Sequence, residues 1–178
     1  MTRGLLASFL DLPVISRVRR NHALEHATLQ ILSERRGETR LMGRSSAWGF
    51  TVYGDVDTHE LLQAAQDGLR RLRAGQRGLA VHPNCGSNYA VAGVIAGLGS
   101  FLALGGLRHD DDEGLLERLA RLPLACAVGT LGVIVSRPLG SAFQAHVTTE
   151  SDVGDLQITN VTKSSRAGAT IHVVRTKG

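Results

Sequence analysis

The pattern of apolar and polar positions predicts two amphipathic helices in the first half of the chain. In 16–36, apolar side chains recur at helical spacing, Ser16 can cap the first turn, and Gly37 can end the last. A second segment with the same period begins after Asp57 and continues to about Arg73, with leucine and alanine side chains on one face. Each segment therefore has one face that a protein core can bury.

Segments that alternate between apolar and polar residues predict short strands before and after the most apolar part of the chain. The N-terminal candidates are 40–42 and 48–53, on either side of a turn at 43–47, while 79–81 is a short strand or an extended segment. The C-terminal candidates are 142–148, 156–162 and 170–175. Pairing between N-terminal and C-terminal strands would place both ends of the chain in one sheet.

Two long apolar runs separate these groups of strands. Residues 89–107 include no charged side chain, and this is about the length that an α-helix needs to cross the hydrocarbon core of a bilayer. The second run, 122–136, is short for a membrane span. The side chains of the flanking Arg121 and Arg137 can bend toward the lipid headgroups, and 115–120 can extend the run. A buried helical hairpin in a soluble protein is the alternative interpretation.

Small residues at four-residue spacing favour the membrane interpretation. Gly93 and Gly97 form one such pair in the first run, and Ala125 and Gly129 form another in the second. Small side chains let two helices approach closely in lipid, where no hydrophobic effect drives helices together. We therefore expect a transmembrane hairpin that packs through these four residues.

The combined pattern predicts an α+β fold in which a small cytoplasmic domain of helices and sheet is interrupted by a two-helix transmembrane hairpin. Residues 1–87 form the N-terminal part, 88–140 form the hairpin, and 141–178 form a C-terminal strand part that completes the same domain. The polar segment between the apolar runs is expected to reverse the chain.

The distribution of charge predicts a topology. The chain has 20 basic and 16 acidic side chains, an excess that usually suggests nucleic acid or an anionic surface as a partner. Residues 1–87 hold 12 basic and 8 acidic groups and 137–178 hold five and three, whereas 108–121 hold three and five. Basic flanks and an acidic loop predict that both termini are cytoplasmic. Membrane lipid then explains the positive charge, and no nucleic acid is needed.

Candidate chemistry begins on the first long helix with His22-Ala-Leu-Glu25-His26. Residues four apart share a helix face, so His22 and His26 can bind one metal ion, for which zinc is our hypothesis. Glu25 lies beside that face and can act as the general base of a hydrolase. The alternative is a surface helix whose imidazoles bond to carboxylates or backbone groups.

The order H-x-x-E-H resembles that of the inverzincin metallopeptidases. Those enzymes take a third ligand from a glutamate on a downstream helix. The corresponding stretch of this chain is the uncharged first apolar run, so no residue is carried over as that ligand.

Two further candidate ligands lie in His82-Pro-Asn-Cys85-Gly, just before the first apolar run. Imidazole and thiolate are both good zinc ligands, and with His22 and His26 they make a set of four. A full shell of three histidines and one cysteine would be structural, whereas three protein ligands with an open position would be catalytic. The alternative is a tight loop that enters the membrane.

Other ionisable residues are weaker candidates. Glu60 and Asp67 on the second long helix are acidic alternatives as ligands, and Glu60 is expected to be solvated. His146 and His172 alternate with apolar residues on predicted strands, so one sheet face can present them to the site. His59 is expected to be exposed.

The segments RRNHALEHATLQIL, GFTVYGDV and AVHPNCGSN, with the small-residue apolar run that follows, resemble an uncharacterised family of bacterial membrane proteins, described as a domain of unknown function. The resemblance covers about residues 17–150, and its most specific parts are NHALEHAT and HPNCG. It implies a bacterial membrane protein, and together with the predicted topology we expect the inner (plasma) membrane. It brings no established activity, so the chemistry depends on the residues themselves.

Three functions are compatible with these features. We favour a membrane-anchored metal-binding protein, and its most specific form is a zinc-dependent, peptidase-like hydrolase. The second is a structural or assembly subunit of a bacterial membrane complex, in which a metal joins the first long helix to the HPNCG turn and other membrane proteins are partners. The third is a membrane-held sensor in which Cys85 responds to metal or redox state.

Overall fold

The computed structural model describes residues 4–37, 40–106, 115–166 and 168–178. Helices and strands are combined in an α+β structure, as the sequence predicts. The chain folds into two compact units, one within Met1–His82 and Gln144–Gly178 and the other within Pro83–Phe143. Residues 107–114 lie outside the described residues, and they include most of the polar segment that is expected to reverse the chain.

Two N-terminal helices begin the first unit, α1 at Leu5–Leu10 and α2 at Pro13–Arg36. The prediction that α2 begins at Ser16 is wrong by one turn. Pro13 occupies the first helical turn, where its fixed φ suits a helix and its missing N–H costs no hydrogen bond. Gly37 ends α2 with a φ of 80°, a left-handed conformation that favours glycine.

A four-stranded antiparallel sheet joins the two ends of the chain, so the predicted pairing is confirmed. Its order is β1-β2-β4-β3, and β2 pairs directly with β4. The four strands in chain order are Met42–Ser46, Gly49–Tyr53, Gln157–Arg166 and Ala169–Lys177. The turn predicted at 43–47 is wrong, because four of its five residues belong to β1 and pair with β2.

One face of the sheet packs against α2 and against α3, which is Thr58–Arg73. Phe50, Val52 and Val174 come from the sheet and are buried with Leu24 and Ile31 of α2. The predicted cap of α3 is confirmed. The Asp57 carboxylate accepts the backbone N–H groups of His59 and Glu60 at 2.9 and 3.1 Å, which satisfies two donors of the first turn.

Two segments form helical turns instead of the predicted strands, although Val81, in the segment predicted as a strand or extended backbone, is extended. Arg77–Ala80 forms a 3₁₀ turn, and Gln144–Thr148 forms a π-helical turn. The Arg19 guanidinium explains the second, because it donates to the carbonyl oxygens of Val147 and Thr149 at 2.8 and 3.0 Å. Carbonyl groups that converge on one buried cation are unavailable for a strand ladder. The contact between Arg19 and Thr149, 130 residues apart in the sequence, thus prevents the strand that the alternation of apolar and polar residues predicts.

The second unit contains α4 at Gly86–Ala103, α5 at Leu115–Ala120 and α6 at Leu122–Phe143. Its helices α4 and α6 run antiparallel, since Ala96 contacts Gly132 and the Ser100 hydroxyl donates to the Ala125 carbonyl at 3.0 Å. A methyl group added to Gly132 would lie 3.0 Å from the Cα of Ala96, so a glycine permits this approach.

The expectation that the two helices approach through Gly93 and Gly97 is wrong. A Cβ at either glycine would have no atom within 4 Å among the described residues, so both lie on the outer face of α4. By length and composition alone, two helical segments are able to cross a membrane, Gly86–Ala103 and Leu122–Thr148. Many of their large apolar side chains are exposed, among them Leu98, Leu102, Leu131 and Ile134.

Candidate metal centre

Helix α2 buries an unusual number of polar side chains for a helix at the centre of a small core. These are Arg19, Asn21, Glu25, His26 and Thr28. Burial of a polar group without a partner is costly, so each is expected to have a specific contact. The contacts bring backbone groups from distant parts of the first unit onto this helix.

His26 is 2% exposed, and its Nδ1 lies 2.8 Å from the carbonyl oxygen of Ala80. A carbonyl oxygen only accepts hydrogen bonds, so Nδ1 must bear the proton. The neutral ring then has its lone pair on Nε2. This is the tautomer in which a histidine binds a metal through Nε2 while its other nitrogen is held by the protein.

His22 repeats this arrangement one turn earlier on α2. Its Nδ1 lies 2.9 Å from the carbonyl oxygen of Thr148, in the π-helical turn. The same argument assigns the proton to Nδ1 and the lone pair to Nε2. The two histidines are therefore oriented by backbone carbonyls from two different segments, Arg77–Ala80 and Gln144–Thr148.

Three imidazoles come together at this face of α2. The ring centroids of His22 and His26 are 4.3 Å apart, and the two side chains have nitrogen atoms within 4.8 Å of each other. The ring centroid of His82 is 5.6 Å from that of His26. The structure thus gathers the three histidines that the sequence identifies as candidate ligands.

Two glutamines hold the backbone that bears His82. Buried Gln144 accepts the His82 N–H at 2.9 Å and donates to the His82 carbonyl at 3.1 Å. Gln30 of α2 donates to the carbonyl oxygens of Leu79 and Val81 at 3.0 and 2.9 Å. The backbone at 79–82 is therefore held by the amides of Gln30 and Gln144 as well as by the imidazole of His26.

Glu25 is 4% exposed and lies against the inner face of the edge strand β1. Its carboxylate accepts a hydrogen bond from the Ser45 hydroxyl. Gly43 makes room for it, because a Cβ at that position would lie 2.0 Å from Oε1. The predicted base is therefore a buried acid with a hydroxyl partner on the neighbouring strand.

Cys85 belongs to the second unit, where it precedes the first turn of α4. Its thiol is partly buried, and its Sγ lies 3.2 Å from the hydroxyl oxygen of Ser87. The other cysteine of the chain, Cys126, is exposed on α6.

Comparison with known proteins identifies a family for this sequence. The family model of a domain of unknown function, DUF6391, matches residues 17–161 of the chain. This chain belongs to the DUF6391 family. The matched range includes all five candidate site residues: His22, Glu25, His26, His82 and Cys85.

A relative of this DUF6391 chain is an uncharacterized protein of Picosynechococcus sp. (strain ATCC 27264 / PCC 7002 / PR-6). It is 33% identical over 142 residues, which cover 74% of this chain and 65% of the relative. The chain thus spans less than two thirds of that protein's length. No solved structure matches the chain.

The acidic alternatives on α3 of the DUF6391 chain have other partners. The Glu60 carboxylate lies 3.0 Å from the Arg36 guanidinium. Asp67 contacts Arg35, Arg70 and Arg71 at 3.0–3.1 Å. Arginine competes with a metal for these carboxylates, so both are ion-pair residues at the α2–α3 contact.

The remaining histidines of the DUF6391 chain are in different surroundings. His172 is buried under the sheet, with Nε2 3.1 Å from the Thr58 hydroxyl oxygen and with no partner for Nδ1 among the described residues. Burial lowers the pKa of His172, and the Lys163 ammonium lowers it further. His146 is exposed in the π-helical turn, and His59 is exposed on α3.

Sequence reasoning missed Ser45, Gln30 and Gln144. A serine in a short strand and glutamines in helices are typical of solvated positions, so no local signal identifies them. Gln144 even falls in a segment predicted as a strand. The partners of all three side chains come from distant parts of the chain: Glu25 for Ser45, the carbonyls of Leu79 and Val81 for Gln30, and the His82 backbone for Gln144.

Proposed function

We propose that this DUF6391 protein is a membrane-anchored metal-binding protein in which His22, His26 and His82 bind zinc. The observation that supports this most strongly is the pair of Nδ1 contacts, 2.9 Å from His22 to the Thr148 carbonyl and 2.8 Å from His26 to the Ala80 carbonyl. Backbone carbonyls that accept from the second ring nitrogen are a common outer shell of protein zinc sites. They fix the tautomer and the plane of each ring.

Cys85 is the proposed fourth ligand. It follows His82 by three residues, a spacing within which two ligands of one zinc ion are often found. A thiolate beside three imidazoles gives a closed tetrahedral shell, which is typical of a structural site. In that form the protein is a structural or assembly subunit of a bacterial membrane complex.

A zinc-dependent, peptidase-like hydrolase is the second candidate, and the burial of Glu25 favours it. Zinc supplies Lewis-acid chemistry when bound. Glu25 follows His22 by three residues on the same helix, and the Ser45 hydroxyl holds its carboxylate in one orientation. A carboxylate held in this way can accept a proton from a water molecule beside the site and return it to a leaving group.

The membrane part of the proposal is supported by the second unit. Two helical segments are long and apolar enough to cross a bilayer, and the large apolar side chains of α4 and α6 lie mainly on their outer surface. With the basic segments on both sides of the hairpin, this favours the inner (plasma) membrane of a bacterium with both termini in the cytoplasm. Membrane lipid is then the first partner.

Metal analysis of the protein purified in detergent tests the site. We expect stoichiometric zinc in the wild type and a loss of most of it in His22→Ala, His26→Ala and His82→Ala. His59→Ala is the matched control, because His59 is exposed on α3 and should leave the zinc content unchanged. Full zinc occupancy in all three variants would show that the proposed site is wrong.

Two further variants separate the structural form from the hydrolase. Replacement of zinc by cobalt should give a thiolate-to-metal absorption band that Cys85→Ser removes if Cys85 is a ligand. If the cobalt-substituted wild type lacks this absorption band, Cys85 is not a ligand. The metal then has an open coordination position, which favours the hydrolase. Glu25→Gln should keep the metal and lose the biological activity if Glu25 is the base. Retention of both would exclude the catalytic form alone.

A further inference from the structure

Helix α1 has the apolar composition of a helix in a protein core, but its side chains are not buried. Its sequence is LLASFL, and none of its six residues is buried. Leu5 is 94% exposed, Leu6 62% and Phe9 55%. The apolar surface continues across the link to α2, where Leu12 and Val14 are also exposed. Five exposed large apolar side chains within ten residues indicate an interaction site.

Trp48 lies at the same end of α2. It occupies the turn between β1 and β2 and is 62% exposed. The guanidinium carbon of Arg17, in the second turn of α2, lies 5.2 Å from the centre of its ring. The Asn21 side chain donates to the Ser46 carbonyl at 2.9 Å and so holds this turn against the helix.

An exposed tryptophan beside an arginine suits the boundary between lipid headgroups and acyl chains. The indole ring is apolar with one polar group, which favours that level of a bilayer. The guanidinium can contact lipid phosphate while it stays over the ring. Residues 1–20 include four arginines and one acidic residue, Asp11. Arg19 and Arg20 pair with Glu150 and Asp155, so the positive charge that is complementary to an anionic surface comes from Arg3 and Arg17.

We propose that α1, Leu12, Val14 and Trp48 form a surface that lies in the headgroup region of an anionic lipid bilayer. This inference rests on the membrane part of the proposed function, since it takes the lipid to be the bilayer that the hairpin spans. A helical segment that combines Trp, Phe and Leu side chains with basic residues can lie in the plane of a bilayer, where its apolar side chains enter the outer acyl region and its basic groups meet the headgroups. A protein partner on the same surface is the alternative that the experiment must exclude.

Trp48 is the only tryptophan of the chain, so its fluorescence reports on this surface alone. The full-length protein is reconstituted into vesicles that contain anionic lipid and lipids brominated at a shallow or a deep acyl position. We expect quenching of Trp48 by the shallow bromines, little quenching by the deep ones, and protection from aqueous iodide. Replacement of the anionic lipid by a zwitterionic one should reduce this quenching.

Single-tryptophan variants made on Trp48→Phe extend the test. Phe9→Trp places the probe on α1 and should behave like Trp48. Gln66→Trp, on the exposed side of α3, should be open to iodide and unaffected by brominated lipid. Leu131→Trp, on the exposed face of α6, should be quenched by the deep bromines if the hairpin spans the bilayer.

The outcomes separate the two proposals. If Leu131→Trp is quenched by lipid while Trp48 and Phe9→Trp are open to iodide, the surface inference is wrong and the membrane anchor stands. If Leu131→Trp is not quenched either, the anchor itself fails, and the surface inference fails with it. Protection of Trp48 from iodide without quenching by lipid would assign the surface to a contact with a second copy of the chain, the only protein in these vesicles, and overturn the inference.

Discussion

The Nδ1 atom of His26 lies 2.8 Å from the carbonyl oxygen of Ala80, two residues before His82. One candidate ligand therefore orients the segment that positions another. Gln30, one turn further along α2, donates to the carbonyls on either side of Ala80. The histidines are thus part of a network of hydrogen bonds between α2 and the backbone, and a change in one member should alter the others.

Gln144→Leu tests whether this network supports the metal site. The leucine has a similar volume but leaves the partly buried N–H and carbonyl groups of His82 without the glutamine amide. We expect a loss of about 1–3 kcal/mol of stability and, since the variant loosens the backbone of a proposed ligand, a 10- to 100-fold weaker zinc affinity, by order of magnitude.

Thermal unfolding and zinc titration of the detergent-solubilised protein measure the two effects of Gln144→Leu. Gln66→Leu is the control, because Gln66 is exposed on α3. Unchanged zinc affinity in a destabilised Gln144→Leu protein would mean that the glutamine serves the fold and that His82 is not a ligand.

Gly43→Ala should displace the Glu25 carboxylate. The added methyl would lie 2.0 Å from Oε1 and 2.4 Å from Cδ, so the end of the side chain must move away from Ser45. We expect a loss of about 1–3 kcal/mol of stability, which is usual for an overpacked core. Chemical or thermal unfolding checks this, with Gly78→Ala as the control because a Cβ there meets no described atom within 4 Å.

A double-mutant cycle makes the Gly43 prediction specific. If the cost comes from the Glu25 side chain, Gly43→Ala combined with Glu25→Ala should cost less than the sum of the two single changes. Additive costs would indicate that Gly43 acts through the backbone of β1 and not through Glu25.

The sequence predicts those parts of the fold that depend on local pattern. Helix α3 and its Asp57 cap, most of α2 and the two apolar helices all follow from spacing and capping residues. The segment QAHVT alternates like a strand and forms a π-helical turn, because Arg19 and His22 bond to its carbonyls. Such a contact between distant residues leaves no mark on the local pattern.

In the candidate site, too, local spacing predicts some contacts, whereas others depend on distant pairing. Four-residue spacing on a helix predicts that His22 and His26 share a face, and their ring centroids are 4.3 Å apart. The contact between Glu25 and Ser45 depends on which residues of β1 face α2. That register is fixed by pairing with β2, so the predicted turn at 43–47 concealed it.

The stability of the protein should fall in mild acid because of His172. Its pKa is lowered from the ordinary value of 6.5, first by burial and then by Lys163, while Asp57 and Asp55 oppose the shift. The unfolded chain therefore binds this proton at a higher pH than the folded chain does. The stability from the neutral imidazole is fully present above pH 6.5 and is lost as the pH falls through the folded pKa.

Thermal unfolding between about pH 7 and pH 5 measures this effect, since histidine titrates in that interval. Chelator-treated protein should be used, so that titration of the proposed ligands does not change the metal content. His172→Gln should reduce the pH dependence, whereas His59→Gln, at an exposed position, should keep it. Equal pH dependence in His172→Gln and the wild type would assign the acid sensitivity to other groups.

Gly132→Val should separate α4 from α6, whereas Gly97→Val should not. The first Cβ would lie 3.0 Å from the Cα and 3.2 Å from the nitrogen of Ala96, and these backbone atoms cannot rotate away. The second would meet no described atom within 4 Å. We expect Gly132→Val to cost about 1–3 kcal/mol of stability, the usual penalty for overpacking, and Gly97→Val to cost much less. Thermal unfolding in detergent compares the two variants. Equal costs would mean that the outer face of α4 has a partner, such as a second copy of the chain.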